Sequence, residues 1–132
     1  MPELPTESVQ PANDTTRFIE ARDLATVRAF VRAGAVTLGL PAHRADLLAL
    51  AVSELTTNTL QYTSGGGLVR VWAQAGQVVC DVVDTGPTRS SGDMPPAGSI
   101  RGRGLAIVDR IVDEVATTTV PDGTLVRIRM NL

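Results

Sequence analysis

Apolar residues recur at helical spacing in two stretches of this chain and alternate or cluster in several shorter ones. Thr16 to Glu20 reads as a short edge strand. Asp23 can then cap a helix carrying Leu24, Val27, Phe30, Val31 and Leu38 on one face. Gly39 and Pro41 punctuate that helix, and a second is predicted from about Pro41 to Tyr62. Pro41 is tolerated in its first turn, and Asp46 lies near its positive end. Its apolar stripe is read as Leu47, Leu50, Ala51 and Leu55. Ser64-Gly65-Gly66-Gly67 ends this helix, and Leu68 to Ala73 with Gln77 to Val83 makes a hairpin around Ala75-Gly76. A Ser-, Gly- and Pro-rich stretch, Pro87 to Arg101, has the composition of a lid-like loop. Leu105, Ile107, Val108 and Ile111 mark a third helix, and Val115 to Val120 with Thr124 to Met130 a last hairpin. The order β-α-α-β-β-loop-α-β-β implies an α+β fold: a two-layer sandwich with a mixed, mostly antiparallel sheet and helices on one face.

Three polar islands interrupt this pattern: Glu54-Leu55-Thr56-Thr57-Asn58, Asp84-Thr85-Gly86, and Gly102-Arg103-Gly104-Leu105. At 100° per residue, Glu54 and Asn58 fall on the same side of their helix as Leu47 and Ala51, so both are expected to point inward. An inward Asn offers a hard oxygen to Mg²⁺, and a Glu one turn earlier can take a proton from water or a hydroxyl. Asp84 ends an apolar strand, where its carboxylate can accept a hydrogen bond from an exocyclic amine while Gly86 lets backbone approach a ring. Gly102-Arg103-Gly104, opening a helix at Leu105, presents backbone N–H groups suited to phosphate. Arg101 and Arg103 can either meet phosphate charge or remain solvated loop residues.

Composition narrows the chemistry. All twelve cationic residues are arginines, which removes a P-loop lysine and any Schiff-base mechanism. A formal charge of -2 and only 3% aromatic residues disfavour nucleic-acid binding. The lone Cys80 reads as a small apolar strand residue, His43 as a surface residue, and Trp72 as a packing residue. At 132 residues the chain suits one domain, read as 15–132 after a disordered tail at 1–14. That tail shows no basic region followed by an apolar stretch, and no apolar run reaches membrane-spanning length, so the expectation is a cytoplasmic protein without membrane contact.

Taken in order, the three islands resemble the ATP-binding fold shared by gyrase-type ATPases, mismatch-repair ATPases and histidine kinases. The chain looks most similar to its small single-domain branch, the anti-sigma-factor serine kinases. The resemblance covers roughly Thr15 to the end, with Gly123-Thr124 as a fourth correspondence. It implies a single histidine-kinase-like ATPase domain using ATP and Mg²⁺, with Asn58 holding the metal and Glu54 as general base. It further implies adenine read by Asp84 and completed at Thr124, and nucleotide lined by Gly86, Arg101, Gly102, Arg103, Gly104 and Leu105. Two features depart from the family pattern: Thr88 stands where a second glycine is usual, and the lid is short.

The resemblance implies a serine/threonine kinase that regulates transcription by partner switching, phosphorylating an anti-sigma-factor antagonist or binding a sigma factor. A homodimer has family precedent. Two alternatives stay open: a nucleotide-gated binding protein without turnover, and a degenerate scaffold.

Overall fold

The computed structural model describes residues 15–62, 66–84, 108–120 and 123–132. Five strands form one sheet: β1 (Thr15–Phe18), β2 (Gly67–Gln74), β3 (Gln77–Asp84), β4 (Glu114–Val120) and β5 (Gly123–Asn131), in the spatial order β1-β2-β3-β5-β4. Every pairing among them is antiparallel. Two helices, α1 (Leu24–Thr37) and α2 (Ala42–Tyr62), pack on one face, and residues 108–111 are helical just before β4. The α+β architecture with helices on one side of the sheet is therefore realised.

Local chemistry explains the element ends. Asp23 turns backward rather than capping α1: its Oδ2 accepts the N–H groups of Ile19 and Glu20 at 2.8 and 3.0 Å. Together with Glu20 it closes a capping box around the 3-10 turn Ala21–Asp23. This expectation is thus corrected, because a turn intervenes between strand and helix and takes the carboxylate first. The β2–β3 hairpin is a two-residue turn with positive φ at Ala75 (53°) and Gly76 (78°), the combination whose twist matches right-handed strands. The Leu40 and Ala45 amides bond to the carbonyls of Ala35 and Pro41 at the α1–α2 corner, and Arg32 pairs with Asp46 across the two helices. Arg44 donates to the Asn131 carbonyl and to Asp113, tying the start of α2 to the end of β5 and the entry of β4.

The core lies between the helices and one face of the sheet. α1 contributes Val27, Val31 and Ala35, and α2 contributes Ala45, Leu48, Ala49, Ala51, Val52 and Leu55. The sheet supplies Phe18, Val69, Val71, Val78, Cys80, Val82, Val126, Ile128 and Met130. The buried stripe of α2 corrects the sequence expectation, since Leu47 is 36% exposed and Leu50 47%. Alanines, being small, are the residues that let the helix sit close to its neighbours, and the bulk falls to Leu48 and Val52. Thr56 is also fully buried, its hydroxyl donating to the Val52 carbonyl at 2.9 Å, so the polar atom costs little. No described helix is long and apolar enough to cross a membrane.

Candidate functional site

Helical and strand periodicities converge on one pocket. On α2, Leu55, Asn58 and Thr59 are spaced i, i+3, i+4 and share a face. Beneath them Val82, Val126 and Thr117 stand side by side on β3, β5 and β4, paired through the register of the sheet. Asp84, two residues beyond Val82, closes the end. These residues line a cavity of about 30 Å³. The Asn58 amide and the Asp84 carboxylate are thus brought to one pocket from elements far apart in sequence.

Asp84 is 5% exposed, and its Oδ1 accepts the Thr124 N–H at 3.0 Å. Gly123 makes this possible, because a Cβ there would overlap both Asp84 Oδ1 and the Asp84 carbonyl. The Asp84–Gly123–Thr124 contact sets the carboxylate at the strand end within an apolar surround. A carboxylate held this way is suited to an N–H donor on a flat ring, since a donor entering such a notch meets little competition from water.

Glu54 occupies a different place. It is half-buried on α2, one turn before Asn58, and is absent from the pocket lining. The exposure of Leu47, which shares its side of the helix, shows why: that side lies at the boundary between core and solvent. The inward aim expected for both residues therefore brings Asn58 to the pocket, whereas Glu54 does not line it. Gly86, Arg101, Gly102, Arg103, Gly104 and Leu105 lie outside the described residues, as do the loop at 87–101 and the tail at 1–14.

Among the described residues no three His, Cys, Asp or Glu side chains converge as a metal cage. The donor set that is present, one amide oxygen beside a pocket, fits a hard cation that keeps several waters and takes its remaining ligands from phosphate. Cys80 is fully buried, and burial followed by the adjacent Asp81 charge pushes its thiol far above the ordinary range, so it is no nucleophile. Thr59 and Thr117 are lining residues that sequence reasoning missed. Thr59 was recoverable from its i+4 relation to Leu55, whereas nothing in the pattern of β4 singled out Thr117.

Residues 19–130 match the family model described as the histidine kinase-like ATPase domain. The chain belongs to that family. Among solved structures, this ATPase-family domain is similar to the RsbU and RsbW domains of Rv1364c from Mycobacterium tuberculosis, with a TM-score of 0.65 and 21% identity over 89% of this chain and 32% of that one. It is also similar to the histidine kinase domain of a blue-light activated histidine kinase from Erythrobacter litoralis, with a TM-score of 0.54 and 26% identity over 83% of this chain and 60% of that one. The histidine kinase AdeS of Acinetobacter baumannii matches with a TM-score of 0.53 and 14% identity, over 89% of this chain and 66% of that one. The domain thus spans about a third of the first protein's length and three fifths of the second's. No curated protein matches.

Proposed function

We propose that this domain binds ATP with Mg²⁺ in the pocket between α2 and the sheet and transfers the γ-phosphoryl group to a serine or threonine of a protein partner. The observation that carries the reading is the meeting of Asn58 and Asp84 in one pocket of a histidine kinase-like ATPase fold. Asp84, oriented by the Thr124 amide, accepts a hydrogen bond from the adenine amine. Asn58 supplies one oxygen to Mg²⁺, whose role when bound is to neutralise phosphate charge. Gly86 and the run Arg101 to Leu105 line the nucleotide.

Transfer then needs a base near the reacting end. The partner hydroxyl oxygen bonds to the γ-phosphorus, the bond from that phosphorus to the β–γ bridging oxygen breaks, and ADP leaves with the electron pair. Glu54, one helical turn before Asn58, takes the hydroxyl proton. Catalysis of this kind is chiefly positioning and electrostatics. By the resemblance to anti-sigma-factor serine kinases, the acceptor is an anti-sigma-factor antagonist and the second partner a sigma factor. Regulation of transcription through a homodimer follows from the same resemblance.

Radiolabel transfer from ATP to the partner serine tests the reading together with calorimetry of Mg-ATP. Wild-type protein is expected to bind and transfer, Asp84→Ala to lose binding, and Glu54→Ala to bind but lose transfer. Absence of Mg-ATP binding by the wild type would refute the site itself. A second reading, nucleotide-gated binding without turnover, is favoured by Thr88 in place of a glycine and by Glu54 standing outside the pocket lining. Binding without transfer to any cognate acceptor selects it.

A further inference from the structure

The face of the sheet turned away from the helices has the make-up of a docking surface. Strand parity and register place three rows on it. Arg17, Leu68, Val83, Leu125 and Thr118 form the first, Thr15, Arg70, Asp81, Arg127 and Ala116 the second, and Trp72, Val79, Arg129 and Glu114 the third. Leu68, Val83 and Leu125 are half-exposed. Four arginines thus face two carboxylates on a chain whose formal charge is -2.

Asp81 offsets one of those positive charges but does not itself confront a partner. It is fully buried, and its oxygens are taken by Arg127 at 2.7 and 2.9 Å and by Arg70 at 3.0 Å. Its role is to hold two guanidinium groups beside the indole of Trp72, at 5.9 and 5.3 Å from the ring centre. Both side chains remain partly open to solvent, 41% for Arg70 and 35% for Arg127. The Arg70 Nε is also buried with no hydrogen-bond partner among the described residues, a donor left over after Asp81 is satisfied. Arginine and tryptophan beside half-exposed aliphatics are the residue types that dominate protein interfaces.

We propose that this face docks an acidic segment of a partner protein, its carboxylates meeting Arg17, Arg70, Arg127 and Arg129 and its apolar side chains covering Leu68, Val83 and Leu125. Charge complementarity selects this occupant. A second copy would set the same net arginine excess against itself, even with Arg129 lying 3.8 Å from Glu114, and nucleic acid would meet a single stacking ring. The surface lies on the opposite side of the sheet from Asn58 and Asp84, so the proposal is independent of the nucleotide reading.

Trp72 is the only tryptophan, and it sits in the patch, so its fluorescence reports occupancy directly. Titration of the full chain with hexaglutamate peptide is expected to give a saturable Trp72 response that weakens as salt rises, with hexalysine giving none. Arg17→Gln with Arg129→Gln leaves both partners of Asp81 in place, and is expected to weaken hexaglutamate binding roughly five- to ten-fold with Tm unchanged. No response to hexaglutamate, or an equal affinity in the double variant, overturns the proposal. Self-association of the wild type that the double variant abolishes overturns it in favour of a second copy. Tighter binding of a single-stranded DNA oligomer than of the peptide overturns it in favour of nucleic acid. If Glu3→Gln, Glu7→Gln and Asp14→Gln together raise hexaglutamate affinity more than about ten-fold, the chain's own N-terminal segment is the occupant and the proposal is also overturned.

Discussion

The two faces of the same five strands solve burial in opposite ways. On the helix side, Val69, Val71, Val78, Cys80, Val82, Ile128 and Met130 close against α1 and α2 by apolar contact, and the buried carboxylate there, Asp84, stands at the pocket end. The other face buries a carboxylate, Asp81, beneath two arginines and an indole. Hydrophobic burial is non-directional and tolerant, whereas a buried charge must be met by geometry or it destabilises the fold. The covered face therefore carries stability, and the open face carries specificity of arrangement.

Substitutions on either side of the sheet allow that contrast to be broken or sharpened. Leu48→Ala, on the covered side, is expected to have the largest effect, about 2–5 kcal/mol in denaturant unfolding, because a fully buried leucine leaves a cavity. A loss below about 1 kcal/mol would mean the helix layer is loosely seated and the contrast is overstated. Asp81→Ala should cost less, roughly 1–3 kcal/mol, since the two arginines it abandons can reach water. It should also release Trp72, seen as a shifted emission spectrum.

Val78 and Val79 are both fully buried but point to opposite faces. Val78→Ala is expected to cost about 1–2 kcal/mol and Val79→Ala about half as much, because flexible arginine and tryptophan side chains can settle into the gap more readily than a close-packed core. Equal costs in chemical denaturation would show that the open face is packed as rigidly as the core.

The smallest effect concerns acid. The Asn131 backbone N–H, followed by the Arg44 guanidinium, holds the Asp113 carboxyl below its usual range. A depressed folded-state pKa means stability that is fully present above the unfolded value near 3.8 and is lost as pH falls through the folded value. Asp113→Asn should therefore flatten the unfolding midpoint against pH below about 4 while changing little near neutrality. An unchanged acid limb would place the acid sensitivity elsewhere.

Much of this fold was legible in the chain. Two-residue alternation and the Ala75-Gly76 turn located the β2–β3 hairpin, and helical spacing located α1 and α2 to within a residue or two. The errors were orientational. Leu47 and Leu50 were read into the buried stripe with Ala51 and Leu55, but only the latter two are buried, and Ala45, Leu48, Ala49 and Val52 complete it. Trp72 was read as packing because its sequence neighbours are apolar, although alternation sends it to the other face, onto Arg70 and Arg127. The pocket was legible at Asn58 and Asp84 and illegible at Thr117, since a threonine in a threonine run carries no pattern of its own.

The chain by itself determined the element order and the absence of any lysine chemistry, because periodicity and residue type are local properties. Only the tertiary structure decided that Asn58 and Asp84 share a pocket that Glu54 does not line. It alone decided that Asp81 lies buried between two arginines. Those outcomes depend on strand register and on how far α2 is rotated about its axis, and both are set by contacts between residues distant in sequence.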